Sequence, residues 1–154
     1  MSIRSDHKTA IKTIMETLSW TRTIPVYDEI SRGGDNIPFI FLTSGALLAN
    51  RPSGGAVTLN STGDYIRQYT YYINLLCQGS EELEAINVVE ADMDTLEGLI
   101  MALLQKDSTR DEGSWQDLFV SDVSSPFNGT EIGFDSTFVV KTFTITVEHQ
   151  FDRD

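Results

Sequence analysis

The chain has 154 residues, 40% of them hydrophobic and 10% aromatic, which is the composition of one folded domain and excludes a disordered chain. Eleven basic residues against 23 acidic ones give a formal charge of −12, which excludes electrostatic wrapping of nucleic acid but not a surface past which it slides without sticking. The lone cysteine, Cys77, excludes an internal disulfide framework, and no apolar run reaches the roughly 18 residues of a membrane span. The start, Met1-Ser2-Ile3-Arg4, is too polar for a signal peptide, so a soluble, unprocessed product of the cytoplasm is expected.

In chain order, Ile3, Ala10, Ile11, Ile14, Met15 and Leu18 form a helical stripe, which predicts a core-covering helix over 3–18. Residues 24–30 read as a short extended segment whose Pro25 bars a central place in a sheet. A turn over 32–36 follows, and then a strand over 38–43, in which Phe39 and Phe41 face opposite to Ile40 and Leu42. From Gly45 to Asp64 the composition turns to Asn, Ser, Thr and Gly, and the stretch reads as a loop excursion with 51–55 at its tip.

The clearest signal is a change of hydrophobic period at Gly79. Before it, Tyr69, Tyr71, Ile73, Leu75 and Cys77 alternate with Gln68, Thr70 and Asn74, as in a strand with one buried face. After it, Leu83, Ile86, Val89, Met93, Leu96, Ile100 and Leu103 recur every three or four residues, which predicts a helix over 80–106. Gly98 within that helix suggests a point of close packing. A polar loop over 107–113, a strand over 118–123 and a turn over 124–129 lead to a last strand over 139–149. There Phe143, Ile145 and Val147 oppose Thr142, Thr144, Thr146 and Glu148, a polar sheet face suited to solvent or to a wet channel. The expected fold is α+β: a single mainly antiparallel sheet with the N-terminal helix and the long helix on one face.

Chemistry is sparse. His7 and His149 are expected to lie far apart, without Cys or His partners at zinc spacing, so no metal is expected. Neither common nucleotide loop is present, and Asp92 and Asp94, two apart on a helix, do not share a face, so no catalytic residue and no cofactor is expected. Tyr69, Tyr71 and Tyr72 are read as cross-strand packing rather than a base-stacking platform, since Arg67 alone accompanies them.

The order of elements, with Ile24-Pro25-Val26-Tyr27-Asp28, then Ile37-Pro38-Phe39-Ile40-Phe41-Leu42, a strand into a long helix and a final Val147-Glu148-His149-Gln150-Phe151, resembles the tail terminator (tail completion) proteins of long-tailed bacteriophages over nearly the whole chain. The resemblance implies a virion protein without catalytic residues that closes into a hexameric ring at the head-proximal end of the tail tube. It also implies as partners its own copies, the tail tube protein and a neck or head-completion protein. Six copies at −12 each would carry −72, and acidic groups facing the lumen would keep DNA moving. By layout, Arg51, Pro52, Ser53, Gly54 and Gly55, and Asp107, Arg110 and Asp111, stand where such proteins reach toward neighbours. The alternatives are a head-closure or tail-tube subunit, an acidic DNA mimic, and a small enzyme.

Overall fold

A computed structural model describes residues 3–21, 23–27, 38–52, 65–79, 85–110, 113 and 115–151. They form α1 (Ile3–Met15), β1 (Val26–Tyr27), β2 (Phe39–Pro52), β3 (Tyr65–Gln78), α2 (Ala85–Leu104), α3 (Asp107–Arg110), β4 (Asp117–Val123), β5 (Phe127–Asn128), a 3-10 turn (Gly129–Ile132) and β6 (Phe138–Phe151). The six strands make one mixed sheet in the order β1-β2-β3-β6-β4, with β5 paired to β6. β1 runs parallel to β2, and every other pairing is antiparallel. The fold is α+β, as the alternation of periods predicts.

Strands β3 and β6 are paired without a slip from Tyr65↔Phe151 to Gln78↔Phe138. Because side chains alternate across a strand, this register stacks the two apolar rows on one face. Tyr71, Ile73 and Leu75 lie beside Phe143, Ile145 and Val147, all buried, with Ile40 and Leu42 of β2 extending the surface. α1 covers it with Ile11 and Met15, and α2 with Met93, Leu96, Ile100 and Leu104. Leu83 and Ile86 of the predicted stripe fall outside the residues whose side chains are described.

The opposite face is covered at one end. Phe39, Phe41, Leu76, Phe138 and Val140 meet Phe134, which the 3-10 turn folds onto the sheet, so Phe39 and Phe41 are buried on the side away from Ile40 and Leu42 as their alternation predicts. A Cβ on Gly129 would stand 2.8 Å from that of Phe138, so the turn needs a residue without one to pass this close. Asn128 caps it by accepting from the Thr130 N–H at 2.9 Å. Asp135 then accepts from the Thr137 side chain and N–H, which holds its carboxyl below the usual range, and β6 begins.

Several expectations need correction. The excursion expected over 45–64 is in its first part strand: β2 continues through Gly45 to Pro52, with irregularities between Ser44 and Ala49, and pairs with β3 back to Tyr65. The backbone ladder to β3 overrides a composition that reads as loop. Residues 53–64 lie outside the described ones, as do 28–37, where the turn over 32–36 was expected. α1 ends at Met15, three residues early, and α2 is described from Ala85 to Leu104. The segment over 107–113 holds a helical turn, α3, which Trp115 ties down by donating its indole N–H to the Thr109 carbonyl at 2.8 Å. Gly98 is no packing point: it is exposed, and a Cβ there would meet nothing within 4 Å.

Two substitutions on α2 should therefore have opposite signs. Leu96→Ala, at a fully buried position, should cost about 2 to 5 kcal/mol of stability, while Gly98→Ala should add about 0.5 to 1 kcal/mol by favouring the helix. Urea unfolding of the two variants against the parent chain measures both. Equal and small changes would mean that the stripe does not face the sheet.

Candidate interaction face and a buried histidine pair

Beyond the phenylalanine cluster, the second face of the sheet is built from the even rows of β3 and β6. The ladder sets Asn74 beside Thr142, Tyr72 beside Thr144, Thr70 beside Thr146 and Gln68 beside Glu148. The hydroxyls and amides are largely tied to one another. Thr142 Oγ1 donates to Asn74 Oδ1 at 2.8 Å, Asn74 Nδ2 reaches the Phe41 carbonyl at 3.3 Å, and Gln68 Nε2 donates to Glu148 Oε2 at 2.9 Å. Ser121 Oγ donates to the Thr144 carbonyl at 3.2 Å and accepts from Thr146 Oγ1 at 3.3 Å. The result is a hydrogen-bonded polar surface.

Thr142, Thr144 and Glu148 are half-buried on this face, in line with the predicted polar row. Thr146 is not solvated: it is 2% exposed, because Thr70 and Phe119 flank it in the sheet. Phe119, by contrast, is 40% exposed at the rim. It belongs to β4, which ends the strand order, so among the described residues no strand takes up the backbone groups of its outer edge. A groove of about 590 Å³ runs along β4, floored by Met101 and Leu104 at the end of α2.

The other predicted interface residues are scattered. Arg51 and Pro52 lie in β2, opposite Ile66 and Tyr65, while Ser53, Gly54, Gly55 and Asp111 lie outside the described residues. Asp107 is exposed at the start of α3. Arg110 is exposed and turned inward along the surface, 3.2 Å from Asp117, at one end of the β4 groove. An exposed pair of this kind contributes little to stability and leaves both groups available to a neighbour.

Two polar features on the helix side escape the sequence reading. His7 and His149, expected to be far apart, touch: His7 Nε2 lies 3.1 Å from His149 Nδ1, and His7 Nδ1 lies 2.7 Å from the Tyr71 hydroxyl. The long β6 strand carries its last residues beneath the first turns of α1, and a separation of 142 in sequence closes to one hydrogen bond. His7 is fully buried, edge-on to Tyr69, Tyr71 and Trp115, so the tyrosines gather round an imidazole rather than only pairing with each other. The Arg4 guanidinium lies 5.1 Å from the Tyr69 ring centre. Burial pushes the Tyr71 hydroxyl far above the ordinary phenol range, against the pull of Arg4, so it keeps its proton. The second feature is Lys141, buried in the apolar row of β6, whose ammonium meets the Glu97 carboxylate on α2. A lysine in phase with Phe143, Ile145 and Val147 is the signal that could have pointed to it.

Compared with protein-family models and with curated proteins, the sequence finds no match in either. Among the described residues no cluster of three His, Cys, Asp or Glu could hold a metal ion, and no helix is long and apolar enough to cross a membrane.

The Lys141–Glu97 pair yields a thermodynamic test. Glu97→Ala should destabilise by about 1 to 3 kcal/mol, the lower end being set by the partial exposure of Glu97, because it strands a buried ammonium. Adding Lys141→Met should restore most of that loss. A double-mutant cycle with no coupling would show that the ammonium reaches water instead.

Proposed function

We propose that this chain is a structural protein of a bacteriophage tail, which forms a ring at the head-proximal end of the tube, stops its growth and joins it to the neck. The observation that carries the reading is the division of the sheet. One face is sealed by α1 and α2, and the other, past its phenylalanine cap, is a flat polar surface bounded by the open β4 edge and the exposed Phe119. Such a unit has the features of a protein that acts through its surfaces, with a ladder edge that a neighbouring subunit can continue. The likeness of the whole layout to tail terminator proteins gives that surface its role, and the charge of −12 suits a passage that DNA crosses without adhering. In this reading the partners are its own copies, most simply six, the tail tube protein and the neck protein.

A phage lacking the protein should build tails of uncontrolled length that do not join heads. Supplying Phe119→Asp in its place should leave the melting temperature nearly unchanged, as expected for an exposed site, yet fail to restore tail length. Electron micrographs of lysates decide: tails of normal length with heads that leak DNA would assign the chain to head closure, and normal particles throughout would remove it from the virion.

A further inference from the structure

The sheet ends in two unlike edges. One is the outer edge of β4. The other belongs to the far part of β2: among the described residues β1 pairs with β2 only at Ile40 and Phe41, and no strand lies outside residues 43–52. Between these edges β2, β3, β6 and β4 alternate in direction. Because they are even in number, two copies set side by side in the same orientation bring β4 of one against β2 of the next as an antiparallel pair. Neither copy has to be turned over, so the same face of the sheet continues across the joint.

Register narrows the joint to one stretch of each edge. β2 is irregular between Ser44 and Ala49, and β4 between Val120 and Asp122, which leaves 49–52 and 117–120 as regular runs. The ladder sets Ala49 and Arg51 opposite Gln68 and Ile66, in the even row of β3, and sets Asp117 and Phe119 opposite Glu148 and Thr146, in the even row of β6. Those two rows pair with each other, so the four positions share one face of the sheet, that of the polar plane. Within 49–52 Arg51 is the one charged residue, and within 117–120 Asp117 is. Arg110 Nε and the Leu118 N–H both donate to Asp117 Oδ1, at 3.2 and 2.9 Å, so among the described residues Oδ2 is left for a donor from outside. Setting Arg51 of one copy opposite Asp117 of the next places Ala49, the smallest residue of its run, opposite the 40% exposed Phe119. Two β4 edges set together offer no such match, since 117–120 holds a carboxylate and no basic residue.

We infer that copies of this chain join edge to edge, residues 49–52 of β2 on one copy pairing antiparallel with 117–120 of β4 on the next, Arg51 opposite Asp117 and Ala49 opposite Phe119. The inference deepens the ring reading and rests on it for the number of copies. Each copy uses both of its edges, so the contact is head to tail and addition stops only when the ring closes. The polar planes of successive copies then form one continuous surface.

Disulfide trapping tests the joint. Residues opposite each other in an antiparallel pair have Cα atoms about 4.5 to 5.5 Å apart, within reach of a disulfide. The full chain carrying Ala49→Cys and Phe119→Cys together, concentrated and mildly oxidised, should run on a non-reducing gel as a ladder from dimer to hexamer. Either substitution alone should leave monomer, because Cys77 is buried, and a mixture of the two single variants should stop at dimer. No ladder from the double variant overturns the joint, and dimers of Phe119→Cys alone overturn it in favour of two β4 edges meeting. A ladder that ends at another order keeps the joint and removes the six-fold ring, whereas tails of normal length built from a double variant that forms no ladder keep the ring and remove the joint. If the double variant does not fold, charge reversal decides. Arg51→Asp and Asp117→Arg should each fail to restore tail length in a phage lacking the chain, and the two together should restore it; a pair that restores nothing overturns the joint.

Discussion

The unbroken pairing of β3 with β6 is the constraint on which the rest of the molecule depends. With Tyr65 opposite Phe151 and Gln78 opposite Phe138, alternation alone sends Tyr71, Ile73, Leu75, Phe143, Ile145 and Val147 under the helices and Thr70, Asn74, Thr142 and Thr146 to the other side. A slip of one residue in either strand would set that strand's threonine or asparagine row against α2. The same register carries Lys141 to Glu97 and His149 to His7, so the polar contacts on the helix side are consequences of the ladder as much as the apolar ones. Each also restricts where a helix can sit, since a displaced α1 or α2 would leave a buried ring or ammonium without its partner.

The elements that could be read from the sequence are those whose local pattern and tertiary environment agree. β3, β6 and α2 each have one apolar row with one face to cover, and their period states the answer. The far half of β2 does not: Gly45-Ala46-Leu47-Leu48-Ala49-Asn50-Arg51-Pro52 has no alternation of period two, and what makes it a strand is the edge of β3, which no local pattern encodes. α3 depends likewise on a hydrogen bond from Trp115. On the candidate surface, Thr142, Thr144 and Glu148 could be placed on a polar face by counting, but the burial of Thr146 and the exposure of Phe119 depend on how β4 lies beside β6. The histidine pair was beyond reach for the simplest reason: its two members are joined only by the complete fold.

The proposed function rests on how the sheet is finished. Most single-sheet domains cover one face and leave the other wet. Here the second face is divided between a small phenylalanine core and a polar plane in which Thr142, Asn74, Thr146 and Ser121 bond to one another, while the Thr70 hydroxyl is buried without a hydrogen-bond partner. The β4 edge supplies what the plane lacks, a direction in which another chain can be added. In the proposed reading, a ring is the closed arrangement in which such an edge meets a neighbour.

An averaged electron-microscopic image of the head–tail junction, with this chain located by a label, tests the assembly account most directly. The account predicts a closed ring of six copies between the tail tube and the neck, with β4 and Phe119 at the contact between adjacent subunits. A single copy, or a particle that does not contain the chain, would contradict it.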